Sequence, residues 1–191
     1  MGVAFRNADP MTAAEFFAFT ATRADAEKWE LIDGEPVLNA TATRLHQRIV
    51  MNLLMALGRL KDELRPNWEV IPGIGIGLSE QSVPVPDIIV RPDDDLTGVE
   101  CEDMIVAFEV LSPSTADRDL RWKRKAYASL PSLQHYIVVA QDVVEVVVYD
   151  RETGFAERRL ERMTSSLDIS ALGVSVALAA VYRDLNMTEY R

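Results

Sequence analysis

The chain has 191 residues, of which 48% are hydrophobic and 26% charged, so its length and composition predict one globular domain spanning 1–191. Its net charge of −10 argues against a protein that coats nucleic acid without specificity, because such proteins carry a surplus of lysine and arginine. The single cysteine, Cys101, excludes an intrachain disulfide framework and a cysteine-based zinc site. We see no signal peptide and no apolar run of the roughly 20 residues that span a bilayer, so we expect a cytoplasmic protein without membrane contact.

Helical and strand patterns follow one another along the whole chain. Thr12 and Glu15 form a capping box, and Asp33-Gly34 supplies the positive φ angles of a tight hairpin turn. The predicted elements, in chain order, are a helix of about three turns opening at Thr12, a hairpin over 29–38, a helix from 43 to about 64, strands at 68–71, 74–78, 85–90 and 104–111, a helix from 112 to about 130, strands at 134–140, 143–149 and 155–160, and a tail with a short strand and a helical turn at 178–184. This order predicts an α/β or α+β domain with a mixed β-sheet flanked by helices, preceded by an N-terminal helix and hairpin.

Two acidic residues interrupt otherwise apolar strands. Asp87 lies in the apolar segment 83–90, and Glu109 lies in the segment 104–111. A strand that is apolar at nearly every position is usually buried on both faces, and a buried carboxylate needs a cation, hydrogen bonds or a metal. Two such carboxylates on two strands could converge on a divalent ion, which makes a metal site the leading hypothesis.

The chemistry of such a site is that of Mg²⁺ or Mn²⁺. These cations prefer oxygen ligands, and a water bound to them becomes acidic enough to attack a phosphorus centre. A nearby lysine would orient that water or stabilise negative charge, and Lys123 is the candidate. It belongs to a local basic strip that could contact phosphates or could be a solvated helix face: Arg118, Arg121, Lys123, Arg124 and Lys125.

Several of these segments resemble the Uma2 family, a branch of the PD-(D/E)xK nuclease superfamily. The resemblance covers most of the chain in the expected order. Its most specific part is Glu-Val-Leu-Ser-Pro-Ser-Thr at 109–115, followed by a lysine and a tyrosine. The matching pieces are Trp29-Glu-Leu-Ile-Asp-Gly-Glu35, His46, Pro86-Asp87-Ile-Ile-Val90, Phe108-Glu-Val-Leu-Ser-Pro-Ser-Thr115, Asp119, Lys123, Tyr127 and His135-Tyr-Ile-Val-Val139.

The resemblance implies a restriction-endonuclease-like fold in which Asp87 and Glu109 are metal ligands. The Val110 carbonyl and waters would complete the coordination of Mg²⁺ or Mn²⁺. The chain departs from the superfamily pattern at Leu111, where a lysine is expected two residues after the glutamate. In similar families a lysine on the next helix is thought to replace it, which implies that Lys123 has the catalytic role.

Two further residues are weaker candidates for the site. His46 shares a helix face with apolar residues, so it is either a core histidine or a residue near the metal. Glu35, just after the hairpin turn, is a better candidate than Glu30 to join the acidic cluster. Tyr127 and Trp122 are expected to be core contacts of their helix.

The predicted function is a metal-dependent endonuclease that hydrolyses phosphodiester bonds of nucleic acid, with DNA as the expected partner. A homodimer is expected, because a two-fold pair most simply cuts both strands of a duplex. The alternative is a catalytically degenerate module of the same fold that binds nucleic acid or a protein partner as a dimer, which Leu111 and the acidic composition favour. A third possibility is a metal-dependent phosphodiesterase acting on a small substrate.

Overall fold

The computed structural model describes residues 3–4, 9–24, 27–64, 66–93, 98, 100–111 and 118–189. Its helices are α1 (Ala13–Thr20), α2 (Arg44–Leu64), α3 (Arg124–Ala128) and α4 (Leu178–Val181), with a π-helix at Arg118–Lys123 directly before α3 and 3₁₀ turns at Arg151–Thr153 and Ser170–Leu172. Its strands are β1 (Val3–Ala4), β2 (Trp29–Ile32), β3 (Glu35–Leu38), β4 (Trp68–Pro72), β5 (Gly75–Ile76), β6 (Ile88–Pro92), β7 (Glu100–Cys101), β8 (Val106–Leu111), β9 (His135–Ala140), β10 (Val146–Asp150), β11 (Ala156–Leu160), β12 (Ser166–Ile169) and β13 (Val174–Ala177).

A six-stranded mixed sheet forms the centre of the molecule. Its strand order is β11-β10-β9-β8-β6-β4. Strands β8 and β9 are parallel, with Val106 paired to His135, and the other neighbours are antiparallel. The predicted mixed sheet flanked by helices is therefore confirmed.

Apolar residues cover both faces of this sheet. Because side chains alternate along a strand, Ile88 and Val90 pack with α2 on one face while Ile89 packs on the other. Helix α2 packs on the first face through its buried residues Ile49, Val50, Leu53 and Leu57, and the β12–β13 hairpin and α4 also cover this face. The second face packs against Tyr127 of α3. Burial on both faces explains why the central strands are apolar at nearly every position.

The N-terminal hairpin β2–β3 forms a small layer of its own that packs against the segment before β6. The predicted capping box is present, since Thr12 and Glu15 bond each other's backbone amide at the start of α1. The hairpin turn has positive φ at Asp33 and Gly34, as predicted. Leu31 of β2 exchanges backbone hydrogen bonds of 3.1 and 2.8 Å with Val83, which brings β2 next to the chain leading into β6.

Some element boundaries differ from the predictions. The strand predicted at 74–78 is only two residues long, and the strand predicted at 85–90 begins at Ile88. The strand predicted from 143 begins at Val146, and the tail contains a complete hairpin, β12–β13, rather than one short strand. The predicted helix start at 112–115 lies outside the described residues. Within the described part of the chain, no helix is long and apolar enough to cross a membrane.

Candidate active site

The structure brings Asp87 and Glu109 together where two central strands meet. Asp87 directly precedes β6, and Glu109 lies inside β8. These strands are antiparallel with Ile88 paired to Phe108, so the same register continues to Asp87 and Glu109. The Asp87 side chain reaches across to β8, where its Oδ2 accepts a 2.8 Å hydrogen bond from the Val110 amide. Both acids are almost fully buried, at 9% and 3% exposure.

Asp87 faces two basic side chains from other parts of the fold. Its Oδ1 lies 3.0 Å from Lys28 Nζ and 3.4 Å from His46 Nε2. Burial alone would raise the pKa of the Asp87 carboxyl. The hydrogen bond from His46, the Lys28 charge and the Val110 amide together outweigh that effect and hold the pKa well below its usual range. Asp87 is therefore held as a carboxylate by partners that already contact it.

Glu109 belongs to a buried network built around Lys123. Lys123 Nζ lies 2.6 Å from Glu109 Oε1 and 2.9 Å from Glu30 Oε1, and all three side chains are less than 5% exposed. The Tyr127 hydroxyl donates to Glu109 Oε1 at 3.2 Å, and the Val85 amide donates to Glu30 Oε1 at 2.9 Å. Partners this close and this numerous are what a buried charge requires.

The π-helix explains how Lys123 reaches this network. Lys123 ends the π-helical segment, and Tyr127 lies four residues later in α3, so both side chains share a helix face and meet the same Glu109 oxygen. π-helical turns are rare and are found often at functional sites. Leu111, where the superfamily pattern has its lysine, is half-buried at the end of β8.

The remaining basic strip lies mostly on the surface. Arg121, Arg124 and Lys125 are exposed, and the Arg124 guanidinium lies 5.2 Å from the centre of the Tyr149 ring. Trp122 donates its indole N–H to Asp33 Oδ2 at 2.9 Å, which links the π-helix to the hairpin turn. The side chain of Arg118 lies outside the described residues.

Sequence analysis missed three residues of this site. Glu30, ranked below Glu35, is fully buried against Lys123, whereas Glu35 is exposed at the start of β3. Tyr127, expected to be a core contact, is buried as predicted but also donates to Glu109. Lys28 was not considered. The signal for Glu30 was available, since it stands between the apolar residues 29 and 31 in the same way as Asp87 and Glu109 stand in their strands.

The donor set at this position fits Mg²⁺ or Mn²⁺. Two carboxylates and a main-chain carbonyl are hard oxygen ligands, and Mg²⁺ commonly takes only one or two protein carboxylates and keeps several waters. Among the described residues, no group of three or more histidine, cysteine, aspartate or glutamate side chains is arranged to hold a metal. The Lys28 side chain beside Asp87 is 39% exposed, whereas the Lys123 side chain beside Glu109 is enclosed.

Comparison with known proteins identifies the family and supports the fold. An uncharacterized protein of Synechocystis sp. is 36% identical over 78 residues, so the match covers 40% of this chain and about two fifths (41%) of that relative. The crystal structure of a putative nuclease belonging to DUF820 from Anabaena variabilis superimposes with a TM-score of 0.75 at 14% identity, over 90% of this chain and 97% of that one. The predicted restriction-endonuclease-like fold is thereby confirmed. The Uma2 profile, described as "Putative restriction endonuclease", matches residues 13–180, and the chain therefore belongs to the Uma2 family.

Proposed function

We propose that this protein is a metal-dependent nuclease that hydrolyses phosphodiester bonds of nucleic acid, with DNA as the expected substrate. The observation that carries the proposal is the meeting of Asp87 and Glu109, both buried, with the ammonium of Lys123 2.6 Å from Glu109. Burying acids and a lysine at one position costs free energy of folding. Clusters of this kind concentrate at active sites. Membership of the Uma2 family supports the same conclusion.

Each residue of the site has a distinct role in this proposal. Asp87, Glu109 and the Val110 carbonyl would hold Mg²⁺ or Mn²⁺. Such an ion, when bound, supplies an activated water and offsets phosphate charge. Lys123 would direct its ammonium at the charge that develops on the phosphate. Tyr127 and Glu30 are positioning residues, because they hold Glu109 and Lys123 through hydrogen bonds and an ion pair.

Basic side chains near Asp87 allow a protein with a net charge of −10 to bind a phosphate at this position. Lys28 and His46 face Asp87, so a phosphate approaching that carboxylate would meet basic groups at short range. At about 0.15 M salt, charges farther away than roughly 8 Å are largely screened, so the remaining acidic surface weighs less than these neighbours.

The test is cleavage by the purified protein in Mg²⁺ or Mn²⁺, with supercoiled, linear duplex, single-stranded and branched DNA and with RNA. Asp87→Asn and Glu109→Gln each remove one charged ligand with little change of shape, and both should lower the cleavage rate by at least about a hundredfold. Glu35→Gln is the matched control, because it makes the same chemical change at an exposed position. Thermal melts of all variants show whether each is folded.

The outcome of this experiment decides the proposal. Cleavage that disappears in the two site variants and persists in Glu35→Gln supports it. Cleavage that persists at the wild-type rate in folded Asp87→Asn and Glu109→Gln would locate the activity elsewhere or in a contaminant.

A second candidate, a non-catalytic module of the same fold, is favoured by one observation. Basic side chains already face both acids: Lys28 and His46 face Asp87, and Lys123 faces Glu109. Such a module has no need of a divalent ion. Calorimetry of Mn²⁺ binding separates the candidates, since a nuclease should bind the ion at Asp87 and Glu109, whereas the module should bind none there and cleave nothing.

We also infer that the protein acts as a homodimer in the cytoplasm. Two copies related by a two-fold axis would present two sites to the two strands of a duplex. Sedimentation velocity at several protein concentrations tests it, and a single monomeric species at all of them would contradict the dimer.

A further inference from the structure

A large cavity opens next to the candidate active site. It has a volume of about 790 Å³ and lies between helix α1, the first residues of β2 and the loop that follows β4. This volume is within the range of roughly 300–1,000 Å³ that is typical of small-molecule sites. The wall is mainly apolar and includes three aromatic side chains, Phe16, Phe17 and Trp29, together with Ile71, Ile74 and Val85.

The cavity and the acidic pair share a wall. Lys28 lines the cavity, and its Nζ is 3.0 Å from Asp87 Oδ1. Gly73 also lines the cavity, and its amide donates to the Asp87 carbonyl at 3.1 Å. Lys28 would therefore separate a ligand in the cavity from Asp87 at the proposed site of hydrolysis.

The aromatic wall is held in place by its neighbours. The Trp29 indole N–H donates to Glu27 Oε2 at 2.8 Å, and the Phe19 ring meets the indole edge-on at 5.0 Å between centroids. The half-buried Phe17 side chain lies on the same wall, on α1. Trp29 is only 7% exposed, so Phe17 offers most of the aromatic surface of this wall. Aromatic rings stack with flat ring systems, and purines and pyrimidines are such rings.

We propose that this cavity binds a nucleobase of the substrate while Lys28 contacts the adjoining backbone phosphate, an inference that rests on the proposed nuclease function. The apolar and aromatic wall suits a base. Lys28, which lines the cavity beside Asp87, suits the phosphate attached to that nucleotide. A base can enter only after it has left the duplex stack. The substrate must therefore present an unpaired base at this site, as a single strand or a locally opened duplex does.

The experiment compares two labelled oligonucleotides of equal length by fluorescence anisotropy. One is single-stranded DNA with bases, and the other has the same sugar–phosphate backbone with abasic sites throughout. The Glu109→Gln variant in the absence of divalent ions serves as the parent, so that binding is measured without cleavage. Because stacking of one base is worth a factor of about ten in affinity, the strand with bases should bind at least about tenfold more tightly.

Ala21→Trp, made in this parent, puts a bulky ring in the cavity and reduces the space open to a base. Ala21 lines the cavity from an exposed position just after α1, so the new ring can enter without disturbing the core. Ala18→Trp, at an exposed α1 position that is not part of the cavity wall, is the matched control. Ala21→Trp should reduce the affinity for the base-bearing strand to that for the abasic strand, whereas Ala18→Trp should retain the difference.

Equal affinity of the parent for the two strands, or equal behaviour of the two tryptophan variants, would overturn the inference. This result is independent of the nuclease test. Cleavage without base preference would leave the proposed function standing and remove the cavity's role. Base-dependent binding without cleavage would support the cavity and favour the non-catalytic module instead.

Discussion

Replacing Lys123 by methionine tests whether the buried network holds the site together. The ammonium lies between Glu109 and Glu30, with exposures of 2%, 4% and 0% for the three side chains. Methionine keeps most of the length and apolar volume of lysine but removes the charge. Glu109 and Glu30 would then both lose the buried ammonium that each of them contacts.

The expected loss of stability is large. Removing one partner of a buried ion pair costs about 3–5 kcal/mol, because the remaining charge is left without compensation. For a chain of this length, a loss of 1 kcal/mol lowers the melting temperature by roughly 2–4 °C, so Lys123→Met should lower it by at least about 6 °C. Such a loss is a substantial fraction of the roughly 5–15 kcal/mol that typically holds a domain folded.

Urea unfolding followed by circular dichroism and tryptophan fluorescence measures the change in free energy. Lys125→Met is the matched control, because Lys125 is exposed on the next helix and its replacement should change stability by less than about 0.5 kcal/mol. A triple variant that adds Glu30→Gln and Glu109→Gln to Lys123→Met removes the stranded charges. It should regain at least about 1 kcal/mol over the single variant.

One result would refute this reasoning. If Lys123→Met were as stable as Lys125→Met, the lysine would not be neutralising buried carboxylates. The proposed positioning of Glu109 by Lys123 and Glu30 would then have no energetic basis.

Three further predictions concern single contacts. Lys28→Gln should bind Mn²⁺ several-fold more tightly in calorimetry than the wild type or the surface control Lys61→Gln, because Lys28 competes for Asp87 Oδ1; unchanged affinity would contradict that competition. Tyr127→Phe should lose about 0.5–1.5 kcal/mol in urea unfolding, because the hydrogen bond from its hydroxyl to Glu109 is removed, and no loss would show that the hydroxyl is dispensable. Asn52→Ala should lose about 1–3 kcal/mol, because its amide donates to the carbonyls of Val181 and Arg183 at 3.0 and 2.9 Å; a loss below about 0.5 kcal/mol would mean that water replaces it.

The central acids could be located from the sequence because each one interrupts an apolar strand. Asp87 and Glu109 stand out for that reason, and the register of β6 and β8 then brings them together. The same criterion applies to Glu30 between Trp29 and Leu31, and applying it consistently would have placed Glu30 above Glu35. The hairpin turn drew attention to Glu35, although a residue that follows a turn is usually exposed.

Lys28 could not have been predicted in the same way. It lies 59 residues before Asp87, just ahead of β2, and local sequence carries no information about which distant carboxylate it meets. The second strand of the tail, by contrast, could have been predicted from the sequence. Leu167 and Ile169 alternate with exposed residues, as do Val174 and Val176, and this period of two predicts the β12–β13 hairpin around Gly173.

The parallel pairing of β8 with β9 determines from which parts of the chain a lysine can reach Glu109. Two parallel neighbours cannot be joined by a tight hairpin, and the described part of the segment that crosses from β8 to β9, which includes the π-helix and α3, lies along one face of the sheet. That crossing segment carries Lys123 over the face on which Glu109 lies. Any lysine needed beside Glu109 therefore has two places from which to reach it, the strand itself or the crossing segment above. A chain with leucine at position 111 retains the second route without any change in topology.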